Sequence, residues 1–320
     1  MKKRLLLGVA AGLSLIALLA PAASYATSPG DNGKIVFASN EHLFTIDPDG
    51  SNLTRIPTAS CEGLEPDWAP DGQTIAFIER CGPSGTFDLS VVNVDGTGLR
   101  RIYATNRDDA RIDWSPDGSQ ALFISDVSGN REIYLSDAGF SHIANLTNNA
   151  AEDDWPAWSP DGSKLAFASN RSGNFEVYSM NPGGTGVVNL TNNPSDDGGG
   201  DRGSGGPSWS PDGTHIAFDS VRTGAHEIFS MNAGGGDLSQ LTSGGRNLEP
   251  AWSPDGRLIA FTSDRTGYRH LYLMASDGTN QSQLTTIPAF NERPDWQVLP
   301  DRCKRHRKVK RHRPKRCVAG

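Results

Sequence analysis

Short apolar runs, with no helical period, organise the chain. An apolar triplet ending in Phe recurs as Ile35-Val36-Phe37, Ile75-Ala76-Phe77, Ala121-Leu122-Phe123, Leu165-Ala166-Phe167, Ile216-Ala217-Phe218 and Ile259-Ala260-Phe261. A second run follows each of them: Leu43-Phe44, Leu89-Ser90, Ile133-Tyr134, Val177-Tyr178, Ile228-Phe229 and Leu271-Tyr272. No stretch repeats apolar residues every three to four positions. Gly, Asp and Pro punctuate the chain roughly every 8–12 residues, which predicts many short strands.

The triplets are phased by a second motif. Trp-Ser-Pro-Asp-Gly occurs at 114–118, 158–162, 209–213 and 252–256, and Trp68-Ala69-Pro70-Asp71-Gly72 differs at one position. A sixth, partial copy, Arg293-Pro294-Asp295-Trp296-Gln297, keeps the Trp and loses the turn. Successive Trp residues are 46, 44, 51, 43 and 44 positions apart. A period of roughly 40–50 residues marks a repeat architecture. In the unit near Trp155 the strands are predicted at Trp155–Ser159, Lys164–Asn170, Phe175–Asn181 and Val187–Thr191. Pro presets φ in the turn after the Trp, and Asp and Gly accept the remaining angles. Four-stranded units at this spacing predict an all-β fold, a six-bladed β-propeller of antiparallel blades.

The order of the pieces also predicts how the ring shuts. The chain enters at a triplet strand with no Trp strand before it and leaves on Trp296 with no triplet after it. These two half-blades complete each other, so the C-terminal strand is expected to pair with the N-terminal blade and remove a free edge.

The repeat, with Leu-Ala-Phe-Ala-Ser-Asn-Arg-Ser-Gly-Asn-Phe-Glu-Val-Tyr-Ser-Met-Asn at 165–181 after its Trp-Ser-Pro-Asp-Gly, resembles the WD40-like repeats of the TolB-type propeller family. The resemblance covers residues 31–298 and implies a six-bladed ring. TolB itself carries a smaller α/β domain ahead of its propeller. Only a handful of residues separate the leader described below from the first blade, so that domain is expected to be missing. Related propellers precede hydrolase domains, but no Gly-x-Ser-x-Gly elbow followed by such a domain is present.

Charge divides the chain. Lys2, Lys3 and Arg4, the apolar Leu5 to Ala20 and the small residues of Ser24-Tyr25-Ala26 read as a secretory leader over residues 1–26. The apolar run is shorter than the ~20 residues a spanning helix needs, so no membrane span is expected once the leader is removed. The expected location is outside the cytoplasm: secreted, periplasmic or associated with the cell envelope. The ring, residues 27–300, is acidic. Residues 301–320 form a basic tail in which Lys304, Arg305, Arg307, Lys308, Lys310, Arg311, Arg313, Lys315 and Arg316 lie between Cys303 and Cys317. Such density suits an anionic surface held through charge. The tail has no aromatic residues for base stacking, so specific nucleic-acid binding is not expected. Export places the four Cys in an oxidising compartment. They allow three pairings; Cys61–Cys81 and Cys303–Cys317 are preferred because each pair is close in sequence.

Residues repeated in every unit read as fold-making. The Glu column Glu132, Glu176 and Glu227 and the Arg column Arg80, Arg171, Arg222 and Arg265 are expected to pair within or between blades. Departures from the repeat carry the functional candidates. Asp108, Asp109, Glu152, Asp153, Asp154, Asp196, Asp197 and Asp201 fall in loops on one rim, where they could receive a ligand or a hard cation such as Ca²⁺. His42 and His270 replace Glu in neighbouring blades and are weak metal candidates. No catalytic constellation stands out, so catalysis is left uncertain and less expected than binding. The reading is a monomeric, exported, non-catalytic scaffold binding a protein or envelope polymer on its acidic rim, with the tail as a tether. The alternative is a carbohydrate lyase or hydrolase using a metal held by the rim carboxylates.

Overall fold

The computed structural model describes residues 30–58, 61–80, 85–105, 107–200 and 205–299. The leader and the basic tail lie outside them. The chain forms six four-stranded antiparallel sheets. It begins with β1 (Asp31–Ser39), β2 (His42–Ile46) and β3 (Thr54–Arg55). Blade 2 is β4 (Glu62–Trp68), β5 (Thr74–Arg80), β6 (Phe87–Asn93) and β7 (Arg100–Tyr103). Blade 3 is β8 (Asp109–Trp114), β9 (Gln120–Ser125), β10 (Glu132–Asp137) and β11 (Ile143–Asn145). Blade 4 is β12 (Asp153–Trp158), β13 (Leu165–Ser169), β14 (Glu176–Met180) and β15 (Val188–Asn189). Blade 5 is β16 (Ser208–Trp209), β17 (His215–Ser220), β18 (Glu227–Asn232) and β19 (Ser239–Gln240). Blade 6 is β20 (Asn247–Trp252), β21 (Leu258–Ser263), β22 (His270–Ala275) and β23 (Ser282–Gln283). The last strand, β24 (Asn291–Leu299), pairs with β1 and completes blade 1.

The closure is as expected: Trp296 stands opposite Ile35 and Asp295 opposite Val36. The triplets form the second strand of each blade, and every triplet residue is 0% exposed. They read as continuous apolar runs because each blade is covered on both faces by its neighbours, so neither side of the strand meets water. The core is accordingly split between blades. Ile35 and Phe37 pack with Ala251, Ala260 and Leu271 on one side, while Val36 packs with Trp68 and Ile75 on the other. The Phe of the triplet faces an aromatic ring on the third strand in five blades, for example Phe123 and Tyr134 with centroids 5.5 Å apart. In blade 2 the position opposite Phe77 is Ser90, whose hydroxyl instead donates to Glu79 at 2.6 Å.

The Trp-Ser-Pro-Asp-Gly motif is a turn held by its own side chains. Ser159 Oγ donates to Asp161 at 2.7 Å and accepts the Lys164 N–H at 2.9 Å. Gly162 closes the turn at φ 69°, a left-handed angle that glycine adopts without strain. The same contacts recur at Ser115, Ser210 and Ser253. Among the described residues no helix is long and apolar enough to cross a membrane.

Candidate functional site in the central channel

The inner strands β4, β8, β12, β16, β20 and β24 line the ring axis. In five of them the register against the second strand slips by a bulge. A bulge re-aims one side chain and raises the local twist. Three residues before the inner-strand Trp, this places Glu65, Arg111, Trp155, Glu249 and Arg293 at φ between 48° and 61°. Left-handed angles cost a non-glycine residue about 1–3 kcal/mol each, and such strain clusters where side chains are aimed for use. The sixth position is Gly206.

These five side chains form one layer across the channel. The Arg111 guanidinium carbon lies 3.1 Å from the centre of the Trp155 ring, and that of Arg293 lies 4.0 Å from it. Arg293 Nε is 3.0 Å from Glu249 Oε1, and Arg111 Nε is 2.9 Å from Asp154 Oδ1. Glu65 Oε1 lies 3.8 Å from Arg111 and 3.7 Å from Arg293. Trp155 has room because blade 5 has no side chain there: a Cβ on Gly206 would stand 2.2 Å from the Trp155 Cβ. Burial lowers the Arg111 pKa to about 10, still well above neutrality. Burial also opposes the charge on Arg293, but Glu249 and Glu65 outweigh it and hold its pKa above the usual value.

Two residues further along lies a second layer, one position before the Trp. It is lopsided: Asp295, Asp67 and Asp113 come from three adjacent blades, and Ala157, Ser208 and Ala251 from the other three. Asp113 accepts the Trp158 N–H at 2.6 Å and Asp295 the Trp68 N–H at 2.7 Å. Burial pushes Asp113 up to about 8 and Asp295 up to about 6. Asp67 is pushed well above the carboxylate range by burial and then by the charges of Asp295 and Asp113. Together the two layers bound a cavity of about 190 Å³. On one side it offers guanidinium and carboxylate groups around a flat indole; on the other it offers protonatable carboxyls beside small residues. Its lining residues include no His or Cys.

The rim candidates take other places. Asp109, Asp153 and Asp197 are each 0% exposed. Asp109 accepts from Ser125 at 2.6 Å, Asp153 binds Arg171 at 2.7 Å and Asp197 binds Arg222 at 2.7 Å. Blade 6 places Asn247 in the same role, accepting from Arg265 at 2.6 Å. These carboxylates therefore belong to the repeat and hold the inner strand to the turn after the second strand. Arg171, Arg222 and Arg265 pair with this set and stack on the triplet aromatics, as Arg222 does over Phe218 and Phe229, whereas Arg80 pairs with Glu62 and lies over Phe87. The expected Arg–Glu pairing is corrected accordingly. Glu132, Glu176 and Glu227 instead accept from Thr147, Thr191 and Thr242 and from the backbone of the following loop. A threonine hydroxyl one strand away satisfies these buried carboxylates at shorter range than an arginine already committed elsewhere.

Of the remaining rim residues, Asp154 is turned inward to Arg111 and Arg131. Glu152 and Asp196 cap the backbone N–H groups of Arg131 and Phe175. Asp108 is exposed, and Asp201 lies outside the described residues. His42 meets Arg55 at 3.1 Å. His270 is buried against Asn291 at 3.3 Å, and burial lowers its pKa. Among the described residues no group of three or more His, Cys, Asp or Glu is placed to hold a metal. Cys81, Cys303 and Cys317 lie outside the described residues, as do all the basic residues named in the tail. The channel layers share no residue type across the six units, so their sequence positions alone do not mark them as a site.

Six blades closed by the last strand around a charged channel define a β-propeller of the repeat type. The chain belongs to the TolB β-propeller family: the family described as TolB beta propeller domain matches residues 32–201 and 198–303. Among solved structures it is similar to TolB from Acinetobacter baumannii, at 23% identity and a TM-score of 0.72, covering 83% of this chain and 66% of that one. The chain thus spans just under two thirds of that protein. A chain of the nidogen/laminin complex matches at 9% identity and a TM-score of 0.65, over 83% of this chain and 98% of that one. Oligogalacturonate lyase from Vibrio parahaemolyticus matches at 18% identity and a TM-score of 0.54, over 75% and 73%. At these identities the likeness is one of fold, and the fold hosts unrelated functions. No curated protein matches the chain.

Proposed function

We propose that the protein is an exported, non-catalytic propeller that binds a protein or an envelope polymer at its channel mouth and rim. The basic tail tethers the ring to an anionic surface. The observation that carries the binding role is the strained layer of Glu65, Arg111, Trp155, Glu249 and Arg293. Five bulges turn these side chains into the channel at φ between 48° and 61°. An aromatic plate flanked by guanidinium groups is the composition that dominates binding energy at protein interfaces. Residues 1–26 act as a leader, and Cys61–Cys81 and Cys303–Cys317 are bridges that staple a blade boundary and close the tail.

Pull-down from envelope extracts tests the proposal, using the mature chain with and without residues 302–320. The full chain is expected to retain a specific partner at the ring and to bind anionic matrices in a salt-sensitive way. Removing the tail abolishes only the second property. Identical matrix retention by both forms would remove the tether, and metal-dependent cleavage of a glycan by the purified protein would remove the non-catalytic reading.

A further inference from the structure

In blades 4, 5 and 6 an arginine from the turn after the second strand sits in a slot of three parts. Arg171, Arg222 and Arg265 donate through Nε to Ser169, Ser220 and Ser263 at 3.0, 3.0 and 2.9 Å. Through Nη2 they reach Asp153, Asp197 and Asn247 at 2.7, 2.7 and 2.6 Å. Each guanidinium also lies over the ring pair of its own blade, between 4.8 and 5.5 Å from the ring centres. Asn247 shows that the acceptor of such a slot can be neutral.

Blade 1 keeps every part of the slot and lacks the arginine. Ser39 stands opposite Asn291, as Ser169 stands opposite Asp153 and Ser263 opposite Asn247. Phe37 and Phe44 form the ring pair, stacked with centroids 5.8 Å apart. The arginine is missing because its turn is missing. Only Asn40 and Glu41, at φ 45° and 65°, join β1 to β2, whereas residues 170–175 join β13 to β14. Positive φ at both central residues is the tight two-residue hairpin turn, which ends before the point from which Arg171 folds back over its blade.

The groups that would grip that arginine are left over. Asn291 is 0% exposed, and its Nδ2 donates to Arg269 O, Ile287 O and Ala289 O, each at 3.1 Å. These bonds hold the amide nitrogen toward blade 6. Asn247 divides its amide in the same way, donating to Glu227 of the preceding blade at 2.8 Å and accepting from its own Arg265. Yet Asn291 Oδ1 has no hydrogen-bond partner among the described residues. Ser39 is buried, and no bond to its hydroxyl replaces the arginine's among those residues. Phe44 is partly exposed, whereas its counterparts Tyr178, Phe229 and Tyr272 are buried beneath their arginines. The nearby cations are committed elsewhere: Arg55 turns to His42 at 3.1 Å, and Arg80 pairs with Glu62. Blades 2 and 3 do not share the feature. Gly63 replaces the acceptor in blade 2, and in blade 3 Ser125 and Thr105 satisfy Asp109. A buried acceptor without a partner forfeits the hydrogen bonds it made in water, so native structures rarely keep one without a use.

We propose that blade 1 receives a guanidinium group from outside the chain, an arginine side chain of the protein held at the rim. The proposal rests on the protein-binding reading and names one anchor for it. Ser39 Oγ and Asn291 Oδ1 accept two N–H donors of one fork, and Phe37 with Phe44 supplies the aromatic face. A guanidinium offers both the fork and the plane, whereas an ammonium offers neither.

Nuclear magnetic resonance titration of the full mature chain with ethylguanidinium, and with ethylammonium as control, tests the slot without the partner. Ethylguanidinium is expected to shift the Asn291 side-chain amide signals saturably, and ethylammonium is not. Ser39→Ala should weaken the guanidinium at least about tenfold, the scale of one hydrogen bond to a charged group. Replacing Asn40-Glu41 by the six residues of the blade 4 turn, Asn-Arg-Ser-Gly-Asn-Phe, gives blade 1 an arginine of its own. That ring should melt no lower than the parent, lose the ethylguanidinium shift, and retain the partner at least about tenfold less. Absence of a shift, equal shifts from both cations, or the same affinity in Ser39→Ala would overturn the slot. Undiminished partner retention by the folded grafted ring would overturn the arginine anchor. If ethylguanidinium binds as expected but the parent retains no protein from envelope extracts, the protein-binding reading fails and the guanidinium slot stands.

Discussion

Replacing Gly206 by Ala tests whether Trp155 is locked across the channel. The new methyl group would sit 2.2 Å from Trp155 Cβ, 2.9 Å from Cγ and 3.1 Å from the Trp155 carbonyl oxygen. Carbon atoms pack at about 3.5–4.0 Å, so roughly an ångström of movement is required. Trp155 has little freedom to supply it, because Arg111 and Arg293 lie against its ring. Gly206 is not among the residues with positive φ, so alanine meets a steric obstacle and no backbone penalty. Overpacking of this kind costs about 1–3 kcal/mol, or about 2–10 °C in Tm for a chain of this size. Trp155→Gly removes the clashing atoms and relaxes a φ of 55°. Thermal or denaturant unfolding of the parent, both single variants and the double variant closes a cycle. Gly206→Ala should cost at least about 1 kcal/mol less in the Trp155→Gly background. Additivity within about 0.5 kcal/mol would refute the locked geometry.

Three further outcomes follow from the same contacts. Arg222→Ala leaves the fully buried Asp197 without its guanidinium partner and should cost about 3–5 kcal/mol; a loss under 1 kcal/mol in unfolding experiments would contradict the assigned role. Asp67, Asp113 and Asp295 have pKa values raised above the unfolded value of 3.8. The stability they contribute is complete below about pH 4 and is lost as pH rises through about 6 and about 8. Wild-type Tm should therefore decline between about pH 4 and about pH 8, and Asp113→Asn should flatten the upper part of that slope; an unchanged slope would refute it. Ending the chain at residue 290 removes β24 and the buried Trp296, a side chain whose loss alone costs about 3–5 kcal/mol. The truncated ring should melt more than about 10 °C lower, and an unchanged Tm would refute the closure.

The blades were legible because their pattern is dictated locally. Triplets buried on both faces must be wholly apolar, and a Pro-Asp-Gly turn needs those residue types in that order. Predicted strands in the fourth blade end within one or two residues of β12 to β15. The unpaired Trp296 announced the closure because a strand without a following triplet has to find one elsewhere. The rim was harder. Asp109 and Asp153 stand five positions before their Trp, but the insertion at 193–206 moves Asp197 to twelve positions before Trp209. One structural column therefore looked like three unrelated acidic loops. The channel layers were less visible still. Three positions before the Trp the six units read Glu, Arg, Trp, Gly, Glu and Arg, which share no chemistry. Only the bulge, a backbone feature, and the closure of the ring bring them together.

The claim that the channel layer binds the partner is tested most directly by quantitative retention of the natively associated partner on immobilised protein. Wild type is to be compared with Trp155→Gly after both are shown to be folded. Loss of a central aromatic anchor typically costs at least 2 kcal/mol of binding, so retention should fall by more than about tenfold. Retention within twofold of wild type, with the ring intact, would place the partner elsewhere and contradict the account.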